Sequence, residues 1–317
     1  MKNILCIGEA LIDMICTDKG KSLSEGANFL KKPGGAPTNV AAAIAAFGGQ
    51  VALCAKVGND PFGKQLVALM QSLNVATPYI FFDDHHFTTM AFVSLMESGE
   101  RDFVFSRGAD ACLSMADLAL VNTSDYSIFH FGSATAFLEG DLSRAYDQLL
   151  SEAVQLNKFI SFDPNYRHDL FKHKQGLFIN QSKKYLAQSH FAKLSDEEAM
   201  LISGCNNVAD SVIELEKLTN AIICITIGKA GTLFCYKGVN EIVPSIPVKV
   251  TDTTGAGDAF VGAVLYQLAQ KSEDEMKDLE KGDWQKIIAN ANKAGARTCE
   301  YMGAMEAFIH LNNQIFD

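Results

Sequence analysis

"TNVAAAIAAFGGQVALCAKVGNDPFGKQLVALMQSLN", Thr38 to Asn74, decides the fold class. "TNVAAAIAAFG" reads as a small-residue helix that stops at Gly48-Gly49. "VALCAKVG" is an apolar run of strand length. "DPFGKQLVALMQSLN" opens with an aspartate placed to cap and a proline in the first turn, both helix-start signals. Outward from this stretch the same alternation continues. "ILCIG", "YSIFHFG", "KFISFDPN", "HFAKLS", "AIICITIG" and "GTLFCY" read as strands, and "DLSRAYDQLLSEAVQLN" and "SVIELEKLT" as helices. Such alternation implies an α/β fold with a largely parallel central sheet and helices on both faces.

Two regions break the rhythm. Residues from about Asp13 to Pro33 carry no helix signal. "TTMAFVSLMESGERDFVFSRGAD", Thr88 to Asp110, reads as a hairpin of two strands around "ESGE". Extra strands beside an α/β body suggest a small β-sheet lid. The expected organisation is an α/β nucleotide- and substrate-binding domain over 1–12, 36–87 and 108–317, and a β lid over 13–35 and 88–107. "QKSEDEMKDLEKGD", Gln270 to Asp283, reads as a solvated connection between helices.

Composition bounds the partners. The 317 residues are 48% apolar and 20% charged, enough for a substantial core in one large domain with an appendage. A net charge of −10 argues against general affinity for nucleic acid or anionic membranes. The cysteines, Cys6, Cys16, Cys54, Cys112, Cys205, Cys224, Cys235 and Cys299, show no C-x-x-C pair, and most sit in apolar runs. They read as buried free thiols of a reducing, cytoplasmic setting, and no paired ligand spacing supports zinc. "MKNILCIGEALIDM" reads as a first strand rather than a signal peptide. No stretch approaches a membrane span. The "NTS" at Asn122 and "NQS" at Asn180 would stay unused in a cytosolic chain.

The chemistry concentrates in "VTDTTGAGDAFVGAVLYQLAQ", Val250 to Gln270. If a helix starts near Ala256, its first N–H groups lack partners inside the helix, and the macrodipole adds positive charge there. Gly255 and Gly257 would let an anion approach the backbone. Asp258 could simply cap or neutralise its own helix. Two glycines flanking Ala256 exceed what a cap requires. A carboxylate beside an anion hole suits phosphoryl transfer: Asp258 takes the acceptor hydroxyl's proton while the amides hold the migrating group. Competing phosphate motifs fail. "GKS" at Gly20 lacks the first P-loop glycine, where Ile15 stands, and no G-x-G-x-x-G follows the first strand. G-x-S-x-G and H-E-x-x-H are also missing.

At these residues the chain resembles the ribokinase-like (PfkB) sugar kinases, over nearly its whole length. "DTTGAGDAFVGAV" is similar to the family's C-terminal signature, and "GGAPTNVAAAIAAFGGQVALCAKVGNDPFG", Gly34 to Gly63, to its N-terminal one. The resemblance implies Asp258 as catalytic base and Gly255, Ala256 and Gly257 as anion hole. It implies sugar contacts at Asp13, Gly34, Gly35 and Asn39. From the residues alone, Asp13 could be a strand-end turn residue and Asn39 a cap. Glu198, in "KLSDEEAMLISG", aligns with a glutamate that organises Mg²⁺ through water. Ser195 stands where many members have asparagine; fructokinase-type members share that departure. "TIGKAG", with Thr226, Gly228 and Gly231, matches the nucleotide loop for ATP; the plainer reading is a tight turn. Asn292 falls near the adenine side, or else faces solvent. Asp252 and the neighbourhood of Gly303 fall where relatives hold a monovalent cation such as K⁺.

"FVFSRGAD" and "DPNYRHDLF" resemble fructokinases and 2-keto-3-deoxygluconate kinases. Arg107 is expected to project from the lid toward the sugar or its phosphate. Arg167 is expected at a strand's C-terminal end, where α/β sheets place ligands. Either could instead form a surface salt bridge. Phe103 and Phe105 alternate, so one lid face is apolar against the ligand or against a partner lid. The expected function is an ATP- and Mg²⁺-dependent kinase of a hexose, most simply fructose, at O6 or O1. The alternatives are a 2-keto-3-deoxygluconate kinase and a non-catalytic sugar sensor. A homodimer through the lid follows from the resemblance.

Overall fold

The computed structural model describes residues 1–96 and 101–316. The "ESGE" turn, residues 97–100, lies outside the described residues. Among the described residues thirteen strands occur in order: β1 (Ile4–Ile7), β2 (Leu11–Cys16), β3 (Phe29–Gly34), β4 (Val51–Gly58), β5 (Ile80–Asp83), β6 (Met90–Leu95), β7 (Arg101–Ser106), β8 (Ile128–Phe131), β9 (Phe159–Phe162), β10 (Phe191–Ser195), β11 (Ile222–Thr226), β12 (Thr232–Tyr236) and β13 (Val239–Val243). Nine form one sheet in the order β13-β12-β11-β10-β9-β8-β1-β4-β5. From β11 to β5 every pair is parallel; β12 and β13 add an antiparallel edge. β1 is buried along its whole length. Ile4 and Cys6 belong to one core cluster, Leu5 and Ile7 to the other. A parallel strand covered on both faces reads as a continuous apolar run, as "ILCI" does.

β1 sits between β4 and β8, which leave it on opposite sides. That reversal opens a crevice beyond its C-terminal end, the usual ligand position in open α/β sheets. The chain leaves this end to build a second sheet, ordered β3-β2-β6-β7. β2 and β6 pair in parallel although they come from separate excursions of the chain. Residues 11 and 12, grouped with the body by their apolar character, pair with Gly34 and Pro33 inside this smaller sheet.

The helices follow local signals. Asp60 caps Pro61–Ser72, its Oδ1 accepting from Phe62 N and Gly63 N at 2.9 Å each. Ala36–Ala46 is buried along nearly its whole length and lies against Ala256–Ala269. At the crossing, a Cβ on Gly262 would stand 2.8 Å from Ala43 Cβ. The Gln270 to Asp283 connection contains a capped helical turn, Glu273–Lys277. The cysteines are all free, but only Cys6, Cys54, Cys224 and Cys235 are buried. Cys16, Cys112, Cys205 and Cys299 are part-exposed, because their runs end at strand edges and turns rather than inside the sheet. No helix among the described residues is long and apolar enough to cross a membrane.

The Gly262 contact is testable. Overpacking a tight core costs about 1–3 kcal/mol. Gly262→Leu should lower the unfolding free energy from urea melts by that amount, whereas an unchanged midpoint would show that the two helices have room to separate.

Candidate active site

The helix Ala256–Ala269 begins where the sequence places it. Gly255 is the N-cap at φ 82°, a left-handed conformation that favours glycine. A Cβ there would also stand 2.5 Å from Ala304 Cβ. Gly257 has a different reason to lack a side chain. Its Cβ would lie 3.2 Å from Lys193 Nζ, so the space beside this amide holds an ammonium. Ala256 N–H bonds to Thr253 O at 3.3 Å. Among the described residues the N–H groups of Gly255, Gly257 and Asp258 meet no protein acceptor.

Asp258 is buried and accepts from Asn39 Nδ2 at 2.8 Å through Oδ2. Asn39 therefore links two helix N-termini instead of capping its own, and its buried Oδ1 has no protein donor. Burial raises the Asp258 pKa; the Asn39 hydrogen bond and the charges of Lys193 and Arg167 pull it back.

Lys193, on β10, is buried with its Nζ 3.0 Å from Asp163 Oδ2. Burial works against the ammonium, but Asp163, Glu198 and Asp258 outweigh it and raise its pKa. The Asp163 carboxyl is pushed up by burial and held back by Lys193. Three carboxylates facing one ammonium fix it as a charged group. His130 beneath them is driven down to about 3 by burial and by Lys193, and stays neutral.

Glu198 is buried. Its Oε2 accepts from Ser195 N and its Oε1 from Tyr166 N, each at 2.7 Å. With Ser195 Oγ accepting from Glu198 N it completes a capping box. Glu198 thus joins the ends of β9 and β10, and its carboxylate faces the Lys193 cluster.

Asp13 lies within β2, paired with Lys32 and Ala91, and is not a strand-end turn residue. Its Oδ2 covers Gly34: a Cβ on that glycine would stand 2.3 Å away. Burial pushes the Asp13 pKa up to about 6, against the pull of Arg167. Arg167 is exposed and acts on both Asp13 and Asp258, so its guanidinium lies over the mouth between lid and helix. Gly35, at φ 106°, caps the helix Ala36–Ala46 and presses on Glu9 O.

Other expected contacts are engaged elsewhere. Arg107 donates to Asp110 Oδ2 at 3.2 Å, to Thr135 O at 3.1 Å and to Glu139 O. These bonds anchor the lid's return strand to the body. Asn292 is buried, not solvent-facing. Its amide accepts from Thr232 Oγ1 at 2.7 Å and donates to Val243 O at 2.8 Å, so it positions the β12–β13 wall rather than reaching out. Thr226 and the turn through Gly228 (φ 59°) and Gly231 (φ 110°) close the β11–β12 junction. They lie one strand from Lys193 at the same end of the sheet. Asp252 accepts from Thr254 N and Oγ1 through Oδ1 and from Gly303 N through Oδ2. A cation there would rely on main-chain carbonyls. Phe105 stacks on Phe103 with ring centroids 6.2 Å apart, in the same lid row as Asp13 and Ala91.

Sequence reasoning missed Lys193, Asp163 and Glu9. Glu9 Oε2 accepts from Ser133 Oγ at 2.5 Å and its Oε1 from Ala36 N at 3.2 Å and Ala134 N at 3.3 Å, tying β1, the first helix and the loop after β8. A charged residue inside or just beyond an apolar strand was the available signal.

A buried carboxylate and a fixed ammonium beside open helix amides are chemically suited to group transfer. The comparisons agree with that class. The model of the pfkB family carbohydrate kinases matches residues 1–310, and the chain belongs to that family. It is a carbohydrate kinase of fructokinase-like sequence. It is 36% identical over 310 residues to Fructokinase-1 of Oryza sativa subsp. japonica, covering 95% of this chain and 93% of the relative. The fructokinase of Xylella fastidiosa with bound ATP superposes with a TM-score of 0.85 at 28% identity, covering 99% and 96% of the two chains. The Vibrio cholerae O395 fructokinase with fructose, ADP and calcium ion gives 0.83 at 28% identity, covering 100% and 98%.

Asp13 yields a pH prediction. Its folded-state pKa of about 6 exceeds the ordinary 3.8, so its contribution to stability is fully present below 3.8 and lost as the pH rises through about 6. At ~1.4 kcal/mol per pH unit, Asp13→Asn should stabilise the sugar-free protein near pH 8 by at most about 3 kcal/mol. The gap should close toward pH 4. Urea melts at both pH values decide it, and a less stable variant near pH 8 contradicts the burial argument.

Proposed function

We propose that this protein transfers the γ-phosphoryl group of ATP to a terminal hydroxyl of fructose, O6 or O1. The observation that carries the reading is Asp258 in the first turn of its helix, beside open amides and Lys193 and hydrogen-bonded to Asn39. The fructokinase relatives support the substrate.

In this reading the lid row of Asp13 and the buried Asn39 amide hold sugar hydroxyls, and the nucleotide lies from the Thr226–Gly231 turn toward Gly255. Asp258 accepts the proton of the acceptor hydroxyl as its oxygen bonds to the γ-phosphorus. The bond to the β–γ bridging oxygen breaks, and ADP leaves with that electron pair. The amides of Gly255, Gly257 and Asp258, with Lys193, stabilise charge on the transferring oxygens; losing one such donor costs roughly 3–4 kcal/mol. The carboxylate excess of Asp163, Glu198 and Asp258 over Lys193 fits a nucleotide that arrives with Mg²⁺, Glu198 holding it through water. The ion supplies charge neutralisation on the phosphates.

The pocket's charges favour a neutral sugar. A sugar acid's carboxylate would face Asp13 and Asp258, and of the two expected arginines Arg107 is already bound to Asp110 and two carbonyls, leaving Arg167 alone to meet it. A sensor without chemistry would have no need of a charged lysine held against the helix amides.

A sugar panel with ATP turnover and mass detection of the product checks the substrate. Fructose should lead, and preference for 2-keto-3-deoxygluconate would overturn this choice. Asp258→Asn should lower kcat by about 10²–10⁴-fold with little change in fructose binding. Unchanged turnover would sink the base assignment. Sugar binding by the wild type without any turnover would favour the sensor.

We also propose that two lids pair into a homodimer. The lid row Leu30–Ile15–Val93–Phe103 leaves Leu30 45% and Ile15 40% exposed on the Asp13 face. A bare apolar sheet face is a liability that pairing removes. Light scattering should give twice the chain mass, falling to one in Leu30→Asp. A wild-type monomer at working concentration removes the proposal.

A further inference from the structure

We propose that Asp83, His86 and Cys112 form a binding site for a transition-metal dication of the zinc class at the base of the lid. The three come together from separate elements, and their ligand atoms all lie within 4.8 Å of one another. His86 Nδ1 is 3.0 Å from Asp83 Oδ1 and 3.4 Å from Cys112 Sγ. Tetrahedral zinc has bonds of about 2.3 Å to sulfur and about 2.0–2.2 Å to nitrogen and oxygen, so its ligand atoms stand about 3.3–3.6 Å apart. The cluster is therefore near the required spacing before any ion enters.

The donor set selects the metal. A thiolate, an imidazole and a carboxylate suit zinc and its neighbours, whereas Mg²⁺ and Ca²⁺ take oxygen ligands. Thiolate and carboxylate together cancel a dication's charge. The carboxylate is already oriented. Asp83 Oδ1 accepts from His85 N at 2.9 Å and His86 N at 2.8 Å, and Lys56, paired with Asp117 at 2.8 Å, stands 4.0 Å from Asp83 Oδ2. Outer hydrogen bonds of this kind hold metal ligands in place. The His86 side chain is 55% exposed, which leaves an entry path and room for water as a further ligand.

The position gives the site a consequence. Asp83 ends β5 in the body, His86 lies in the segment that enters β6, and Cys112 ends the turn Ala109–Cys112 that returns from β7. The two connections already touch: Ala109 N–H bonds to Phe87 O at 2.8 Å. A bound ion would tie both lid connections to the body. Linear spacing concealed the cluster, because the cysteine lies far along the chain from the Asp-x-x-His pair.

The test is a Co²⁺ titration of the full chain, tag-free, reduced and without chelator, followed by thiolate-to-cobalt absorption. The expected result is saturation at one equivalent, bleaching on addition of Zn²⁺, loss in Cys112→Ser, and at least tenfold weaker binding in His86→Ala. Cys205→Ser should keep the band. Because Cys112 lies outside the catalytic cluster, turnover by Cys112→Ser certifies its fold. If wild-type protein shows no thiolate–cobalt band, or the band survives in Cys112→Ser, the trio is a hydrogen-bonded cluster only and the proposal fails.

Discussion

The contact between Ala36–Ala46 and Ala256–Ala269 is the constraint on which the site depends. Alanine on one helix and Gly262 on the other let the two backbones approach. Only at that separation does the Asn39 amide, from one first turn, reach the Asp258 carboxylate in the other. Burying an ionisable carboxylate is unfavourable unless it is hydrogen-bonded or paired. Asn39, Lys193 and Arg167 supply that compensation from three different parts of the chain. The geometry of two helices thereby becomes the protonation chemistry of one residue.

Electrostatically the site is a nested arrangement. Lys193 is enclosed by Asp163, Glu198 and Asp258 and rests against Gly257. Removing one partner of such a buried pair leaves an uncompensated charge, which is why these groups stand or fall together. The glycines of the turn answer to this packing as much as to any ligand. Gly255 yields space to Ala304 and Gly257 to the lysine. Sequence logic singled out these glycines for an anion; the structure adds a packing reason for each.

Legibility followed range. The helices at Pro61–Ser72 and Ala256–Ala269 and the strands from β8 to β12 were readable because caps, glycines and apolar runs are local signals. Asp258 was readable because helix amides and carboxylate occupy consecutive residues. Lys193 was not: it sits in an apolar run, and its partner Asp163 lies on the neighbouring strand. Arg107 and Asn292 looked free because sequence cannot show which carbonyls will meet them. β5 and β13 are short and carry little pattern of their own, so only their pairing with β4 and β12 defines them.

The segment from Gly303 to Phe308 has an importance out of proportion to its length. Gly303 N holds Asp252, Ala304 fits the hollow at Gly255, and Glu306 reaches the lid through Lys32. The turn that holds Asp252 and Gly255 and the lid strand that holds Lys32 thus share one late landmark. A change that shifts this short segment therefore reaches the Gly255 turn and the lid together.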